Sequence, residues 1–262
     1  MTCPRRTFNV RDRELCGLAQ PHRARTRLGD VLVVGFDTAT PAVSVALHDG
    51  ERVVSEAFAA GARRHGELLA PMIAKVMADA GASRADLTAV AGGVGPGPYT
   101  GLRVGVMTAR VLGAVLGLPV HGVCSLDVIA AAVSLQKGPG PEFLVATDAR
   151  RKEVYWARYD ADGRRLEGPQ VGSAGSIAGS ARLPVAGAGG QLYPEAFGEP
   201  IGPAYPDART LCAIVAGHLR EQACPPSPPA SWSAVPLLAA EPLYLRRPDA
   251  REPGPPKRVT PS

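Results

Sequence analysis

No C-x-x-C pair occurs in this sequence, and its five cysteines, Cys3, Cys16, Cys124, Cys212 and Cys224, are odd in number. A disulfide framework is disfavoured, and reduced thiols in a cytoplasmic protein are expected. No two of the five histidines stand four residues apart, so the helical H-x-x-x-H zinc pair of a metallopeptidase is missing and no metal is expected. No apolar run is long and clean enough to cross a bilayer, since the best, "VGVMTARVLGAVLGLPV", is interrupted by Arg110. The first residues hold no apolar segment of the signal-peptide kind. A G-x-x-x-x-G-K-[ST] phosphate loop is also lacking.

What is present is a chain of 262 residues, 45% hydrophobic, enough for one compact domain or two small ones. Its net charge of +5 sits at the ends. Residues 1–30 carry seven Arg against Asp12, Glu14 and Asp30, a net of +4. Residues 246–262 carry a net of +3, which leaves the body at −2. A slightly acidic body is a poor phosphate-tracking surface on its own. The two ends lack apolar periodicity, and both are expected to be disordered. An early start site is a second explanation for residues 1–30.

Between the ends the chain reads as a repeat. "VLVVGFD" is a buried-strand run ending in Asp37, followed by a hairpin turning at Asp49-Gly50. Then come a helix over about 65–80, the strand "TAVAGGVG", a helix over about 100–116 and the strand "LPVHGV". The second half repeats the order. "EFLVATD" ends in Asp148, a hairpin turns near Asp162-Gly163, and "SIAGSA", "LPVAGAGG" and "TLCAIVAGHLR" supply helix, strand and helix. This pattern predicts an α/β protein of the actin-like (ribonuclease-H-like) fold, with two duplicated mixed-sheet subdomains over 31–124 and 125–245.

Between the strand at 88–95 and the helix after it lies "GGVGPGPYTGLRVG". Its spacing is G-x-G-x-x-x-G, and Pro96 and Pro98 offer no N–H to an anion. The loop reads as a rigid strand-to-helix turn with Thr100 as helix N-cap. Asp37, Thr38, Gly95 and Gly97 are the candidates to face a nucleotide. In the helix that follows, Gly101, Gly105, Ala109, Gly113 and Gly117 recur every fourth residue, a smooth ridge for close backbone approach. Both first-half helices are apolar round much of their circumference. Either the second half covers that surface or a partner does.

Five stretches, "VGFDTAT", "HGELLAPMI", "GVGPGPYTGLRVG", "DARRKEVYWA" and "PLYLR", match in order the TsaB (YeaZ) family, from about Val31 to Arg246. The family commonly reads G-P-G-S-F-T-G-L-R where this chain has Pro98 and Tyr99 in place of S-F. The resemblance implies a subunit without a catalytic residue of its own. It docks on TsaD, joins TsaE and meets tRNA through the complex, which places threonylcarbamoyl on N6 of the adenosine 3′ of the anticodon. It also implies docking through the two first-half helices. The interface candidates are then His65, Glu67, Leu68, Leu69, Met72, Ile73 and Val76 on one helix. On the other they are Thr100, Gly101, Arg103, Val104, Gly105 and Thr108. No intrinsic cofactor is implied, and ATP or ADP would sit only at the complex interface. Homodimerisation of the isolated chain is left open. The competing readings are a self-sufficient ATPase or small-molecule kinase of the same fold, and a metallopeptidase. Ser44 and Ser125 have no evident His partner for nucleophilic catalysis.

Overall fold

A computed structural model describes residues 31–61, 64–137, 140–177, 182–223 and 234–246. The expectations of disorder at the two ends fall outside these residues, apart from Arg246.

The first sheet runs in the order β3-β2-β1-β4-β5: β1 (Val33–Asp37), β2 (Val43–His48), β3 (Val53–Ala59), β4 (Ala89–Gly93) and β5 (Val120–Val123). β1, β2 and β3 form an antiparallel meander, while β4 and β5 add on parallel to β1. Between these strands lie α1 (His65–Asp79) and α2 (Tyr99–Leu116). Both helices pack on one face of the sheet, burying Val34, Phe36, Val45, Leu47 and Val90 against Leu69, Val76 and Ala109. Gly81, at a φ of 62°, ends α1 as its left-handed stop, and Ala82 donates back to Met77.

The other face of this sheet is covered from far along the chain. Helix α6 (Ala208–Ala223) lies against β1, β2 and β4, with Leu211, Cys212, Ile214 and Val215 meeting Val33, Ala46 and Ala91. That explains why "VLVVGFD" is continuously apolar, since alternate residues of β1 point at α1/α2 and at α6. It also means that a helix from the second span of sequence completes the first sheet.

The second sheet has the order β8-β7-β6-β9: β6 (Phe143–Asp148), β7 (Glu153–Tyr159), β8 (Arg165–Ser173) and β9 (Val185–Ala186). It repeats the meander-then-parallel pattern with four strands instead of five. The fifth place is taken by residues 199–204, which run beside β9 with only one bridge, Val185 to Pro200. Pro200 and Pro203 cannot donate to a ladder, so no strand forms there. Of "SIAGSA" only the start is described, within the short helix α4 (Ala174–Ile177). Another short helix, α5 (Ala188–Leu192), follows β9.

Helix α3 (Ser125–Lys137) has no counterpart in the sequence reading. It stands between the two sheets, with Val128 and Ala131 on the α6 side and Leu126, Ile129 and Val133 on the side of β6 and β7. From Leu126 to Val133 every residue is buried, so no polar face marks it as amphipathic. No helix among the described residues is long and apolar enough to cross a membrane.

Candidate functional site

The C-terminal end of β1, the glycine loop and the start of α3 meet in one buried knot. Asp37 is 2% exposed. Its Oδ1 accepts the Ala39 N–H at 2.8 Å and its Oδ2 accepts the Ser125 hydroxyl at 2.5 Å. Ser125 Oγ in turn accepts the Gly95 N–H at 3.1 Å, and the Ser125 N–H donates to the Gly95 carbonyl at 2.7 Å. Burial pushes the Asp37 carboxyl above its usual range, opposed by the Ser125 and Ala39 hydrogen bonds and by nearby His65. The Thr38 hydroxyl donates to the Gly101 carbonyl at 2.7 Å, and His65 Nε2 donates to the Thr40 carbonyl at 2.8 Å.

The glycines of the loop are there for closeness. A Cβ on Gly93 would lie 1.8 Å from Asp37 Oδ2, and one on Gly97 would lie 2.0 Å from the Ala39 carbonyl oxygen. Asp37, Thr38, Gly95 and Gly97 are all buried by the chain's own atoms, and the Gly95 N–H is already spent on Ser125. The four candidates for facing a nucleotide are thus brought together, Asp37, Thr38 and Gly95 in a closed lock and Gly97 beside it at the edge of a cleft.

Helix α2 begins at Tyr99 with Pro98 in the capping position and no side-chain cap, so Thr100 lies inside the first turn instead of capping it. In α1 the N-cap is Arg64, also without a side-chain cap, and Glu67 pairs with Arg64 at 3.2 Å on the surface. Neither His65 nor Glu67 therefore caps α1 by its side chain.

The small-residue ridge of α2 faces inward. A Cβ on Gly101 would lie 2.7 Å from the Thr38 carbonyl oxygen, and one on Gly105 would lie 2.4 Å from Thr38 Oγ1. Gly101 and Gly105, with Leu69 and Val76 of α1, belong to the chain's own core. Leu68, Met72, Ile73, Val104 and Thr108 are half-buried between or beside the helices, while Thr100 and Arg103 are exposed. Turned by two residues, about 200° round the helix, a second stripe looks outward. Met107 is 45% exposed, Val111 54% and Val115 74%. The same fourfold spacing that revealed the ridge could have revealed this stripe.

The second half ends its equivalent strand differently. Asp148 Oδ1 accepts the Arg150 N–H at 2.8 Å and its other oxygen pairs with Arg150 at 3.4 Å. Arg150, Arg151 and Lys152 then stand consecutively at φ of 63°, 56° and 63°, a left-handed turn made without glycine. Such residues cost about 1–2 kcal/mol each. The turn borders a cleft of about 200 Å³, whose other walls are Gly97, Pro98 and Tyr99 of the loop, Tyr155, and Tyr244 to Arg246. Arg246 crosses to the turn, donating to the Ala149 carbonyl at 3.0 Å and pairing with Glu153. Among the described residues no three His, Cys, Asp or Glu side chains converge as metal ligands would.

Sequence and structure comparisons agree with this architecture. Residues 54–192 match the family model described as "TsaD: tRNA N6-adenosine threonylcarbamoyltransferase". An uncharacterized protein of Mycobacterium leprae is 43% identical over 84% of this chain, which spans 56% of that protein's length. The Escherichia coli tRNA threonylcarbamoyladenosine biosynthesis protein TsaB is 33% identical over 82% of this chain and 94% of its own length. Among solved structures, YeaZ from Pseudomonas aeruginosa superposes with a TM-score of 0.65 at 26% identity, over 82% of this chain and 99% of its own. The fold is the actin-like one, in two mixed-sheet units.

Proposed function

The chain belongs to the TsaB (YeaZ) family, and we propose that it is the non-catalytic subunit of the complex that places threonylcarbamoyl on N6 of the adenosine 3′ of the tRNA anticodon. In this reading it docks TsaD directly, TsaE joins the assembly, and any ATP or ADP sits at the interface between subunits. The family model named for the transferase and the TsaB relative are compatible, because both names refer to the same threonylcarbamoyl modification of tRNA adenosine.

The observation that carries the docking reading is the outward stripe of α2. Met107, Val111 and Val115 lie one turn apart, each nearly half exposed or more, on a helix whose other side is fully engaged with its own sheet. A solvent-facing row of this kind is the anchor pattern of a helix-to-helix contact. The docking surface is therefore centred on these three, flanked by Arg103, Thr108 and the half-buried Leu68 and Met72 of α1. The closed knot at Asp37 supports the absence of chemistry on this subunit, since both carboxylate oxygens and the loop's Gly95 amide are occupied.

The test is co-purification with TsaD. The unaltered chain should retain TsaD and support modification of unmodified tRNA with TsaD and TsaE present, while turning over no ATP alone. Val111→Asp should release TsaD without lowering the melting temperature. Retention of TsaD by that variant, or ATP turnover by the chain alone, overturns the reading.

A further inference from the structure

The cleft between the glycine loop and the left-handed turn has a composition that docking leaves unexplained. On one wall the Tyr99 and Tyr244 rings stack with centroids 5.3 Å apart and planes 24° from parallel. They come from positions far apart in sequence, yet each ring stays nearly half exposed. The Arg103 guanidinium lies 5.1 Å from the Tyr99 centroid and donates to its hydroxyl. Arg150 and Arg151 line the same cleft. Arg246 is held by Ala149 and Glu153, which fixes the turn's position beside the rings. Arg150 is itself largely exposed and pairs with Asp148 at 3.4 Å.

Exposed aromatic faces set against arginines are the means by which proteins hold unpaired bases and their phosphates. We infer that this cleft holds one unstacked nucleotide of a single-stranded RNA loop, its base on the Tyr99–Tyr244 pair and its phosphate on Arg150 and Arg151. This rests on the tRNA-modification reading for the identity of the RNA. A cleft of about 200 Å³ is smaller than the roughly 300–1,000 Å³ that encloses a whole small ligand, which favours one unit of a chain over a free nucleoside triphosphate. Duplex RNA is disfavoured because its bases are already stacked on one another. The cleft lies at the N-terminal end of α2, about 18 Å along the helix from Val111 by helical rise, and Arg103 borders both surfaces.

The experiment is anisotropy of a fluorescein-labelled, unmodified anticodon stem-loop RNA titrated with the full chain across a salt series. Tyr244→Ala should weaken binding about tenfold, the loss of one stacked base, while Tyr244→Phe should bind as the unaltered chain does. Arg150→Ala should lower the log–log salt slope by about 0.7, one phosphate of a single strand. Melting curves of each variant separate lost contacts from lost folding. Unchanged affinity in folded Tyr244→Ala and an unchanged slope in Arg150→Ala overturn the inference. So does saturable binding of AMP that the RNA does not displace, which would make the cleft a mononucleotide site. The reconstituted modification assay, run beside it on the unaltered chain, keeps two failures apart. Modification without these RNA effects sinks only the cleft, whereas the RNA effects without TsaD-dependent modification sink only the reading it rests on.

Discussion

Asp37 ends β1 and Asp148 ends β6, and each accepts a 2.8 Å hydrogen bond from the amide two residues on. Beyond that shared turn the two halves diverge. Around Asp37 the chain closes: the glycine loop folds over the carboxylate, Ser125 joins it from α3, and the carboxylate oxygens and the Gly95 amide are bonded within the knot. Around Asp148 it stays open, with three cationic residues in a left-handed turn at the mouth of a cleft. One copy of the duplicated turn has become a lock that fixes α3 between the sheets. In the other, conformational strain is kept where charge is displayed. Strained turns are retained where something beyond stability selects them, so the open copy is where a ligand is to be sought.

The largest effect should follow from prising the closed turn apart. Gly93→Val would drive a side chain into the Asp37 carboxylate, its first carbon 1.8 Å from Oδ2 and 3.0 Å from the Asp37 Cβ. Overpacking of that severity costs about 3 kcal/mol or more, or roughly 6–12 °C of melting temperature for a chain of this size. Arg150→Ala, in the open turn, should stay within about 0.5 kcal/mol. Calorimetry of the two variants side by side decides the matter. If they melt alike, the difference between the turns is one of appearance only.

A smaller effect concerns pH and only the closed turn. Burial raises the Asp37 carboxyl above its ordinary value of 3.8. As pH rises from that value the unfolded chain releases this proton before the folded chain does, so the folded state binds more protons and stability falls. The loss ends once pH passes the folded-state value. Asp37→Asn removes the titration. The melting temperature of the unaltered chain minus that of Asp37→Asn should therefore decline as pH increases from 3.8. A flat or rising difference would mean that the hydrogen bonds from Ser125 and Ala39 outweigh burial.

The strands and hairpins were legible from continuous apolar runs such as "VLVVGFD" and from the Asp-Gly turns at 49–50 and 162–163. Helices α1, α2 and α6 were legible from their apolar periodicity. Helix α3 was not, because a helix buried on every side from Leu126 to Val133 carries no polar face to set its period. Which sheet α6 would cover was also hidden, since its apolar side fits either. At the site, Asp37, Thr38, Gly95 and Gly97 lie close together in the structure, but a pattern of glycines reads the same for a cradle that admits an anion and a turn that excludes one. The ridge on α2 was recognised while the surface it faced was not, and only the position of Thr38 against Gly101 and Gly105 resolves it. The cleft was out of reach altogether. Tyr99 meets Tyr244 only through the tertiary fold, and no residue among Arg150, Arg151 and Lys152 favours a positive φ.

The smallest predicted effect has the opposite sign and is confined to the open turn. Lys152 is exposed and held at a φ of 63°, a conformation that costs an L-residue about 1–2 kcal/mol and glycine almost nothing. Glycine in turn loses about 0.5–1 kcal/mol more than other residues through the freedom of the unfolded chain. The balance favours Lys152→Gly by about 0.5 kcal/mol, a rise of roughly 1–2 °C in melting temperature. No such gain is available at the closed turn, where glycine already occupies the tight positions at Gly93, Gly95 and Gly97. The same variant should weaken the RNA titration slightly, because it removes a charge beside the cleft and loosens the turn that presents Arg150 and Arg151. A chain that gains stability while losing RNA affinity would show that the left-handed turn is maintained for binding. If Lys152→Gly instead lowers the melting temperature, the turn is held by contacts that outweigh its strain, and the contrast between the two strand ends is one of rigidity alone.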